Sequence, residues 1–473
     1  MVFNSLAFLV FAVVFLTVYF LLRGRHRLYW MLAGSYFFYG WWDVRFLGLI
    51  ILSTVVDFHL GKTIRAAADP TRRSRWLWLS VGVNLGILGF FKYAGFFTEG
   101  FRQLAALFGW IPPIPFLEVV LPVGISFYTF QTLSYTIDIY RGRMEPTRDI
   151  WCFATFVACW PQLVAGPIVR AADFLPQLQR YLPADTARIQ SGLTRIGWGF
   201  FKKVAVADSL APFVDQVWSA PAHFTTLNLW VAVLFYSFQL YCDFSGYSDI
   251  AIGFARIMGY EFPENFRTPY FSRHFSEFWT RWHISLSSWL RDYLYIPLGG
   301  NRKGSWCTLR NLMLTMLLGG LWHGANWTFV VWGGIHGVLL VLQRLLEGPF
   351  RLCKRYVPGP MWTGLAMLTV FLLTTLAWVF FRSPDLHTAV AILQDLFRLD
   401  GWAPTGLMNK FIVARGVGLI GSLLMVEAAA AYLPVGPWLS DRPFWRAFVV
   451  AAMLFAILLF GNFAADAFIY FQF

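Results

Sequence analysis

The chain has 473 residues, of which 58% are apolar and only 13% are Asp, Glu, Lys or Arg. Soluble domains carry about 25% charged residues, so this composition excludes an ordinary soluble domain. The mean hydropathy is +0.56. The 23 Trp and 49 Phe add more apolar surface than one water-soluble core can bury. The sequence therefore predicts an all-α polytopic integral membrane protein.

The charge is strongly basic, with 38 Lys and Arg against 25 Asp and Glu, a net charge of +13. On a soluble protein this excess would suggest a nucleic-acid partner. On a membrane protein, basic residues accumulate in cytoplasmic loops beside anionic lipid, so we predict contact with membrane lipid and no nucleic acid. The five cysteines form no CxxC pair. Neither a disulfide framework nor a metal site is predicted.

The first 150 residues alternate between apolar segments and basic loops. Residues 2–22 lack charge and any signal-peptide cleavage pattern, which predicts a helix that stays in the membrane. Residues 28–60 must cross the membrane outward and return, with a turn at Trp41, Trp42 and Asp43. The next span, 76–97, leads to a proline-containing outer loop over 98–118. A further span follows at 119–140. The basic loops between spans place the N-terminus on the outer face.

The rest of the chain contains further apolar segments, several of them interrupted by Gly or Pro. They lie near 151–169, 192–215, 224–258, 311–343, 359–381, 411–433 and 445–465. We predict about 11 spans in total, with additional re-entrant or interfacial helices. The sequence shows no internal repeat and no separate soluble domain, so one membrane-embedded domain over residues 1–473 is expected.

The uncharged segment 311–343 contains the first candidate catalytic residue. A straight helix of this length would extend about 50 Å, well beyond a hydrocarbon core of about 30 Å. Three glycines within Gly319–Asn326 predict a break there, with His323 at membrane depth. A buried neutral imidazole is a candidate general base acting on a hydroxyl group. The alternative is a histidine that only hydrogen-bonds a carbonyl at the break. His336, among further glycines, is expected to serve helix packing, with direct function as the alternative.

A second polar segment extends from Arg273 to Tyr293 and predicts one amphipathic helix at the membrane interface. Four polar residues are spaced four, three and four positions apart, which places them on one face of this helix: Arg281, Ser285, Ser288 and Asp292. His283 shares another face with Trp279, Leu286 and Leu290. From spacing alone, an interfacial brace is favoured over a functional site.

Two more groups of polar residues are weaker candidates. The turn from Pro297 to Gly304 contains Arg302 and Lys303 and could hold a phosphate, although a plain cytoplasmic loop would look the same. Asp243 and Asp249 follow an uncharged run, and we expect them to cap free amides or pair with an arginine such as Arg256. Proton transfer is the alternative, and no GxSxG elbow indicates a hydrolase.

Four stretches together make the chain resemble the membrane-bound O-acyltransferase (MBOAT) family. They are DFSGYSDIAIG from Asp243, ENFRTPYFSRHFSEFWTRWHISLSSWLRDYLYIPLGGNRKG from Glu264, LWHGANWTFVVWGGIHG from Leu321, and the terminal FIYFQF. The resemblance covers essentially the whole chain and is strongest to the branch that acetylates bacterial alginate. It implies a many-helix fold in which two funnels meet at a thinned centre. His323 matches the family's catalytic histidine, and His283 matches its second functional polar position.

The resemblance also implies a reaction and its partners. An acetyl group would pass from a cytoplasmic thioester, with acetyl-CoA as donor and no bound cofactor or metal, to periplasmic SGNH-type acetyltransferases that modify the polysaccharide. Two sets of residues are predicted to bind substrate. Arg281, Arg291, Arg302 and Lys303 are candidates for the CoA phosphates, and Trp322, Asn326 and Asp243 complete the predicted set. The protein would lie in the bacterial inner membrane with a periplasmic N-terminus. Direct transfer and a covalent acyl-histidine both stay open.

Several rival functions share some of these features. The D-alanyl transferase that modifies teichoic acids resembles the chain around FWTRWHISLSSWLRDY and WHG, but takes its acyl group from a carrier protein. Cellulose and peptidoglycan are alternative acceptors. A small-molecule transporter could also contain broken helices and polar residues at the midplane, but FWTRWH and LWHG each occur once here, whereas transporters often contain repeats.

Overall fold

A computed structural model describes most of the chain. The described residues are 1–110, 112, 119–180, 185–349, 357–399, 401–402, 410–433, 442–463 and 468–469. Every regular element within these ranges is a helix, which confirms the predicted all-α fold. The contacts divide the chain into two compact units, one of residues 1–193 and 251–263 and the other of residues 194–250 and 264–473. This division does not test the prediction of one functional domain over 1–473.

The first nine described helices belong to the first unit. They are α1 (Leu6–Leu21), α2 (Arg25–Gly40), α3 (Leu47–Ala66), α4 (Pro70–Leu88), α5 (Ala94–Leu107), α6 (Ile125–Tyr140), α7 (Ile150–Ala158), α8 (Trp160–Leu163) and α9 (Ala171–Leu178). The chain turns at Trp41 and Trp42 between α2 and α3, as the sequence predicts, and the Asp43 carboxylate then accepts the Arg45 amide at 2.9 Å.

The predicted outer loop over 98–118 is wrong at its start. A π-helical turn at Gly89–Tyr93 joins α4 to α5, so that the helix continues to Leu107. Residues 98–107 contain no proline, and Thr98 bonds its hydroxyl to the helix backbone at 2.8 Å, so nothing ends the helix earlier. Pro113 and Pro115 lie outside the described residues.

Buried polar side chains join α3, α4 and α6 in the interior of the first unit. Asp57 is fully buried and accepts hydrogen bonds from Ser80 at 2.6 Å and from Asn84 at 2.7 Å. Ser53 and Thr132 each donate to the side-chain oxygen of Asn84 at 3.0 Å. Because every one of these groups has a partner, the cluster stabilises the packing of three helices in an apolar environment.

The second unit contains most residues of the remaining helices. They are α10 (Thr186–Phe200), α11 (Asp208–Ser219), α12 (Thr226–Ile257), α13 (Phe275–Arg281), α14 (Ile284–Leu290), α15 (Gly304–His323), α16 (Trp327–Leu345), α17 (Gly359–Arg382), α18 (Leu386–Leu396), α19 (Lys410–Tyr432) and α20 (Pro443–Phe460). A π-helical segment, Phe201–Ala207, joins α10 to α11. Aromatic side chains, among them Trp282, Trp332, Trp378 and Phe381, lie in the core of this unit.

Glycines bring α15 and α16 into close contact. A Cβ atom at Gly320 would lie 2.3 Å from the carbonyl oxygen of Phe329, and one at Gly333 would lie 2.3 Å from the carbonyl oxygen of Met316. Only residues without a side chain permit this approach. The predicted break in 311–343 is present, but it occupies residues 324–326, because Gly319 and Gly320 stay helical. Gly320 serves the packing of α15 on α16, whereas Gly319 faces Leu290 of α14.

Five helical segments of the described chain are long and apolar enough to cross a membrane. They are Val44–Ala66, Pro70–Leu107, Trp327–Leu345, Gly359–Arg382 and Lys410–Tyr432. Shorter apolar helices occur at Leu6–Leu21 and Ala447–Phe460. The polytopic membrane fold is therefore supported, and the total of about 11 spans stays a prediction.

Candidate active site

His323 is the last residue of α15 and lies at the break between two packed helices. It is 4% exposed. Gly324 follows in an extended conformation, and a side chain there would collide with the ring of Phe329, 2.1 Å from the Cβ position. Asn326 then begins α16 as its N-cap, accepting the Thr328 amide at 3.0 Å. The break therefore holds the imidazole inside the second unit at a fixed point.

His283 lies between two short helices, and this corrects the prediction of one helix over 273–293. Helix α13 ends at Arg281 and α14 begins at Ile284, while His283 adopts φ +43° and ψ +54°. The common helical face expected for Arg281, Ser285, Ser288 and Asp292 is therefore wrong. The preceding loop supplies the competing hydrogen bonds, since the amide of Ile284 donates to the carbonyl of Asn265 at 2.8 Å.

Asn265 organises this junction and was missed by sequence reasoning. It is fully buried, and its side-chain oxygen accepts the hydroxyl of Ser285 at 2.8 Å. Its side-chain amide donates to Ser248 of α12 at 2.9 Å. A polar residue in a loop between aromatic residues gives no periodic signal. Its role follows from contacts with residues 17 and 20 positions away.

The two histidines come together although 39 residues separate them in sequence. Their ring centroids are 6.2 Å apart, and Trp322 lies beside both, 5.9 Å from His283 and 5.0 Å from His323. His283 is fully buried. The two imidazoles are therefore close enough for one reacting group to be within reach of both, as acid–base catalysis needs.

Aromatic side chains surround this pair. Phe244 of α12 lies 4.6 Å from His283, with its ring nearly perpendicular. Trp332 and Phe381 lie 5.1 and 5.4 Å from His323. Both imidazoles therefore lie in an aromatic environment.

His336 lies one aromatic layer away from His323. Its ring is fully buried, 5.0 Å from both Trp279 and Trp332. It is stacked parallel to Phe278 at 6.0 Å. Neither ring nitrogen has a hydrogen-bond partner among the residues that the structure describes. This position fits the packing role that the sequence favours.

Asp243 does not lie against the histidines but supports the helix next to them. Its carboxylate pairs with Lys203 at 2.6 Å and accepts the backbone amide of Ile469 at 2.8 Å. Lys203 also pairs with Asp208 at 2.8 Å. Asp249 pairs with Lys202 at 2.5 Å and with Arg195 at 2.7 Å. The suggested partner Arg256 is wrong for both acids, because it bonds Ser191 at 3.0 Å.

The start of the FIYFQF segment is held beside Asp243. The ring of Phe468 lies 4.8 Å from Tyr247 and 5.8 Å from Phe244, the residue that contacts His283. The chain end is thus connected to the site through one aromatic side chain. Residues 470–473 lie outside the described residues.

A cavity of about 920 Å³ in the second unit is lined by Arg281 and three further basic residues, Arg195, Lys202 and Arg267, and by three acidic ones, Asp249, Glu277 and Glu427. Phe266 lines the same cavity, and its ring is parallel to that of His283 at 6.4 Å. Arg281 pairs with Glu277 at 2.7 Å. Burial raises the pKa of Glu277, but hydrogen bonds and charges from Arg273 and Arg281 outweigh it and hold that pKa below its usual range. Arg267, which sequence reasoning missed, is exposed and lines the cavity.

The other predicted substrate-binding residues lie apart from this cavity. Arg291 is 62% exposed and pairs with Asp292 at 2.7 Å. Arg302 and Lys303 are exposed in the turn before α15. Asn326 donates to the carbonyl of Pro384 at 2.8 Å and so holds the helix break. Of the predicted set, the structure brings Trp322 to the histidines and Arg281 to the cavity.

The apolar helices describe a multi-pass membrane protein, and its second unit contains a buried pair of histidines. The model of the MBOAT, membrane-bound O-acyltransferase family, matches residues 146–383, which include both histidines. The chain is also 46% identical to the "probable alginate O-acetylase AlgI" of Pseudomonas putida, over 94% of this chain and 88% of the relative. The chain therefore belongs to the membrane-bound O-acyltransferase family, and it is an O-acyltransferase.

More distant relatives carry other names. The chain is 36% identical to the peptidoglycan O-acetyltransferase of Helicobacter pylori, over 79% of this chain and 74% of the relative. It is 26% identical to the teichoic acid D-alanyltransferase of Bacillus subtilis, over 72% of this chain and 90% of the relative. All of these are named for acyl transfer to a cell-envelope polymer.

Proposed function

We propose that this protein transfers an acetyl group from a thioester to an acceptor hydroxyl group. The acetyl group is destined for an extracytoplasmic polysaccharide, with alginate as the final acceptor. The observation that carries this proposal is the buried pair of His323 and His283, 6.2 Å apart between ring centroids. The identity to alginate O-acetylases over more than nine-tenths of the chain favours acetyl and alginate over the peptidoglycan and teichoic acid alternatives.

In the proposed reaction, His323 acts as general base. One imidazole nitrogen takes the proton of the acceptor hydroxyl, and the oxygen attacks the thioester carbonyl carbon. The carbon–sulfur bond then breaks, the proton passes to the thiolate, and the products are an ester and a free thiol. His283 orients the thioester, and the water-poor aromatic surroundings suppress hydrolysis. A covalent route would instead use His323 as nucleophile, with an acyl-histidine intermediate.

We propose acetyl-CoA as the donor, bound in the cavity that contains Arg267 and Arg281. Guanidinium groups bind phosphate through paired, charge-assisted hydrogen bonds. Arg281 already pairs with Glu277, so Arg267 is the stronger candidate for a CoA phosphate. Phe266 contacts both the cavity and His283, which supports entry of the thioester from this side.

The remaining parts of the proposal concern location and partners. Arg23, Arg25 and Arg27 follow α1 directly, which supports a periplasmic N-terminus in the bacterial inner membrane. The acetyl group would then leave on the outer side, and periplasmic SGNH-type acetyltransferases would pass it to the polysaccharide.

The deciding experiment measures loss of thioester and label on protein, using acetyl-labelled CoA and the full chain in nanodiscs. Three proteins are compared: wild type, His323→Ala, and His387→Ala, which removes an exposed histidine elsewhere in the same unit. We expect His323→Ala to lower the rate about 10²- to 10⁴-fold, the usual contribution of a general base. His387→Ala should match wild type.

Each outcome has a definite meaning. Label that stays on wild-type protein but not on His323→Ala would indicate the covalent route, and consumption without retained label would indicate direct transfer. Equal rates for wild type and His323→Ala would disprove the catalytic assignment. If no protein consumes acetyl-CoA, even with periplasmic partners added, the donor assignment is wrong.

A further inference from the structure

A small arginine-lined cavity lies in the first unit, which contains neither His283 nor His323. It has a volume of about 250 Å³ and is lined by Arg25, Arg27, Arg180 and Asp149, together with Tyr260. We call it the arginine pocket. It lies at the turn between α1 and α2, where α7 begins and α9 ends.

The arginine pocket is electropositive. Among the described residues that line it there are three arginines and one carboxylate, so their formal charge is +2. That carboxylate is already engaged. One oxygen of Asp149 accepts the amides of Trp151 and Cys152 at 3.0 and 3.4 Å, and the other accepts Arg25 at 2.7 Å. Positive charge therefore exceeds what the pocket itself neutralises.

Arg27 is held in place inside the arginine pocket. Arg27 is only 5% exposed. Its Nε donates to the carbonyl of Tyr19 at 3.1 Å, and its guanidinium carbon lies 4.4 Å from the centre of the Tyr19 ring. Tyr19 in turn donates its hydroxyl hydrogen bond to the carbonyl of Met258 at 2.8 Å. A buried arginine with a fixed orientation loses little conformational entropy when it binds an anion.

The surroundings of the arginine pocket combine charge with apolar surface. Helix α1 carries no charged residue over its 16 residues, and Leu21 at its end is 76% exposed. Leu28 and Leu178 line the pocket beside the arginines. A polar cavity at the end of an apolar helix is the place where a bilayer presents its phosphates.

We propose that the arginine pocket binds a phosphate group, supplied by an anionic phospholipid of the surrounding leaflet. Its volume of about 250 Å³ admits a phosphate with part of a headgroup, and Arg25 and Arg27 of α2 and Arg180 after α9 provide the donors. Bound lipid would connect α2, α7 and α9 at one membrane surface. This site is independent of the proposed acyl transfer.

The test counts bound lipid on the detergent-purified full chain by native mass spectrometry. Phosphatidylglycerol is titrated against phosphatidylcholine, and inorganic phosphate serves as competitor in a separate arm. The variant is Arg25→Gln with Arg180→Gln, since both side chains are exposed and their loss should leave the fold intact. The control is Arg65→Gln, an exposed arginine of the same unit that pairs with Glu145 at 2.7 Å.

We expect one tightly bound phosphatidylglycerol in wild type and in the Arg65→Gln control, and affinity about 25-fold weaker in the double variant. Displacement of that lipid by millimolar inorganic phosphate would assign the pocket to a soluble phosphate instead of a lipid. Equal weakening in the control and the double variant, or no preference for phosphatidylglycerol, would overturn the proposal, because diffuse surface charge would then explain binding. Unchanged thermal unfolding in lipid-free detergent verifies that the variants are folded.

Discussion

His283 has a left-handed backbone conformation, which residues other than glycine adopt uncommonly. Its φ of +43° is matched, among described residues other than glycine, only by Thr268 in the adjoining loop. The loop that contains Thr268 is bonded to the residue two positions before His283, because Arg281 donates to the backbone oxygen of Thr268 at 3.4 Å. Such conformations cost of order 1–3 kcal/mol and persist where the surroundings enforce them, commonly at functional sites. The strain here places the imidazole inward, toward His323.

This conformation leads to a prediction about His283 variants. His283→Asn should fold and keep part of the activity, because asparagine tolerates the left-handed region and retains a polar side chain. His283→Ala should fold but lose most activity. The measurement is thioester consumption together with thermal unfolding in detergent. Equal activity of wild type and His283→Ala would reduce the residue to packing.

A second residue-scale feature is the buried ion cluster of Lys203, Asp208 and Asp243. The side chains are 9%, 6% and 4% exposed. One lysine pairs with two carboxylates that lie on different helices, α11 and α12, so its removal would take the cationic partner from both.

Lys203→Met should therefore destabilise the protein by about 3–5 kcal/mol. The matched control is Arg65→Met, since Arg65 pairs with Glu145 on the surface and such pairs contribute about 0–1 kcal/mol. Thermal or denaturant unfolding in one detergent compares the two. If both variants unfold like wild type, the cluster is not a stabilising element.

At the scale of elements, the pair α15 and α16 determines where His323 lies. Helix α15 ends at the histidine, α16 supplies Trp332 beside it, and glycines on both helices let the backbones approach. The sequence predicts a break because the uncharged segment is too long for one span. It does not predict which glycines form the break and which form the contact, since both are small residues in an apolar run.

Two adjacent glycines of α16 test this packing. Gly333→Ala should lower both stability and activity, because the new Cβ would lie 2.3 Å from the carbonyl oxygen of Met316. Gly334→Ala, where the nearest atom is a Leu317 methyl at 3.5 Å, should be neutral or stabilise the helix by up to about 1 kcal/mol. Unfolding and turnover of both variants are compared with wild type. Equal effects at the two positions would argue against close packing.

At the scale of the whole molecule, the proposed reaction requires that the donor reach two histidines that are buried in the second unit. The cavity with Arg195, Arg267 and Arg281 is the candidate entrance, and four basic residues and three acidic ones line it. Arg195 and Arg281 pair with acidic residues of the lining, so Arg267 is the residue that favours a donor carrying phosphates.

Arg267→Gln should raise KM for acetyl-CoA about tenfold without changing kcat, because the variant loses a bond to a CoA phosphate. KM for acetyl-pantetheine, which lacks these phosphates, should stay unchanged. The control is Arg398→Gln, an exposed arginine of the same unit that pairs with Asp395 at 3.2 Å and lies outside the cavity lining. An equal rise of KM for both donors would indicate a general effect on the cavity instead of phosphate binding.

Composition and motifs by themselves determined that this chain is a helical membrane protein related to acyltransferases. They also determined that His323 lies at a helix break. These properties depend on local apolar length, glycine positions and contiguous residues, which a sequence displays directly. Only the tertiary structure decided that 273–293 is two helices and that Asn265 holds their junction. It also brought His283 to His323 and Arg267 to the cavity. Each of these depends on hydrogen bonds or packing between residues far apart in the chain, which override local helical preference and leave no periodic pattern.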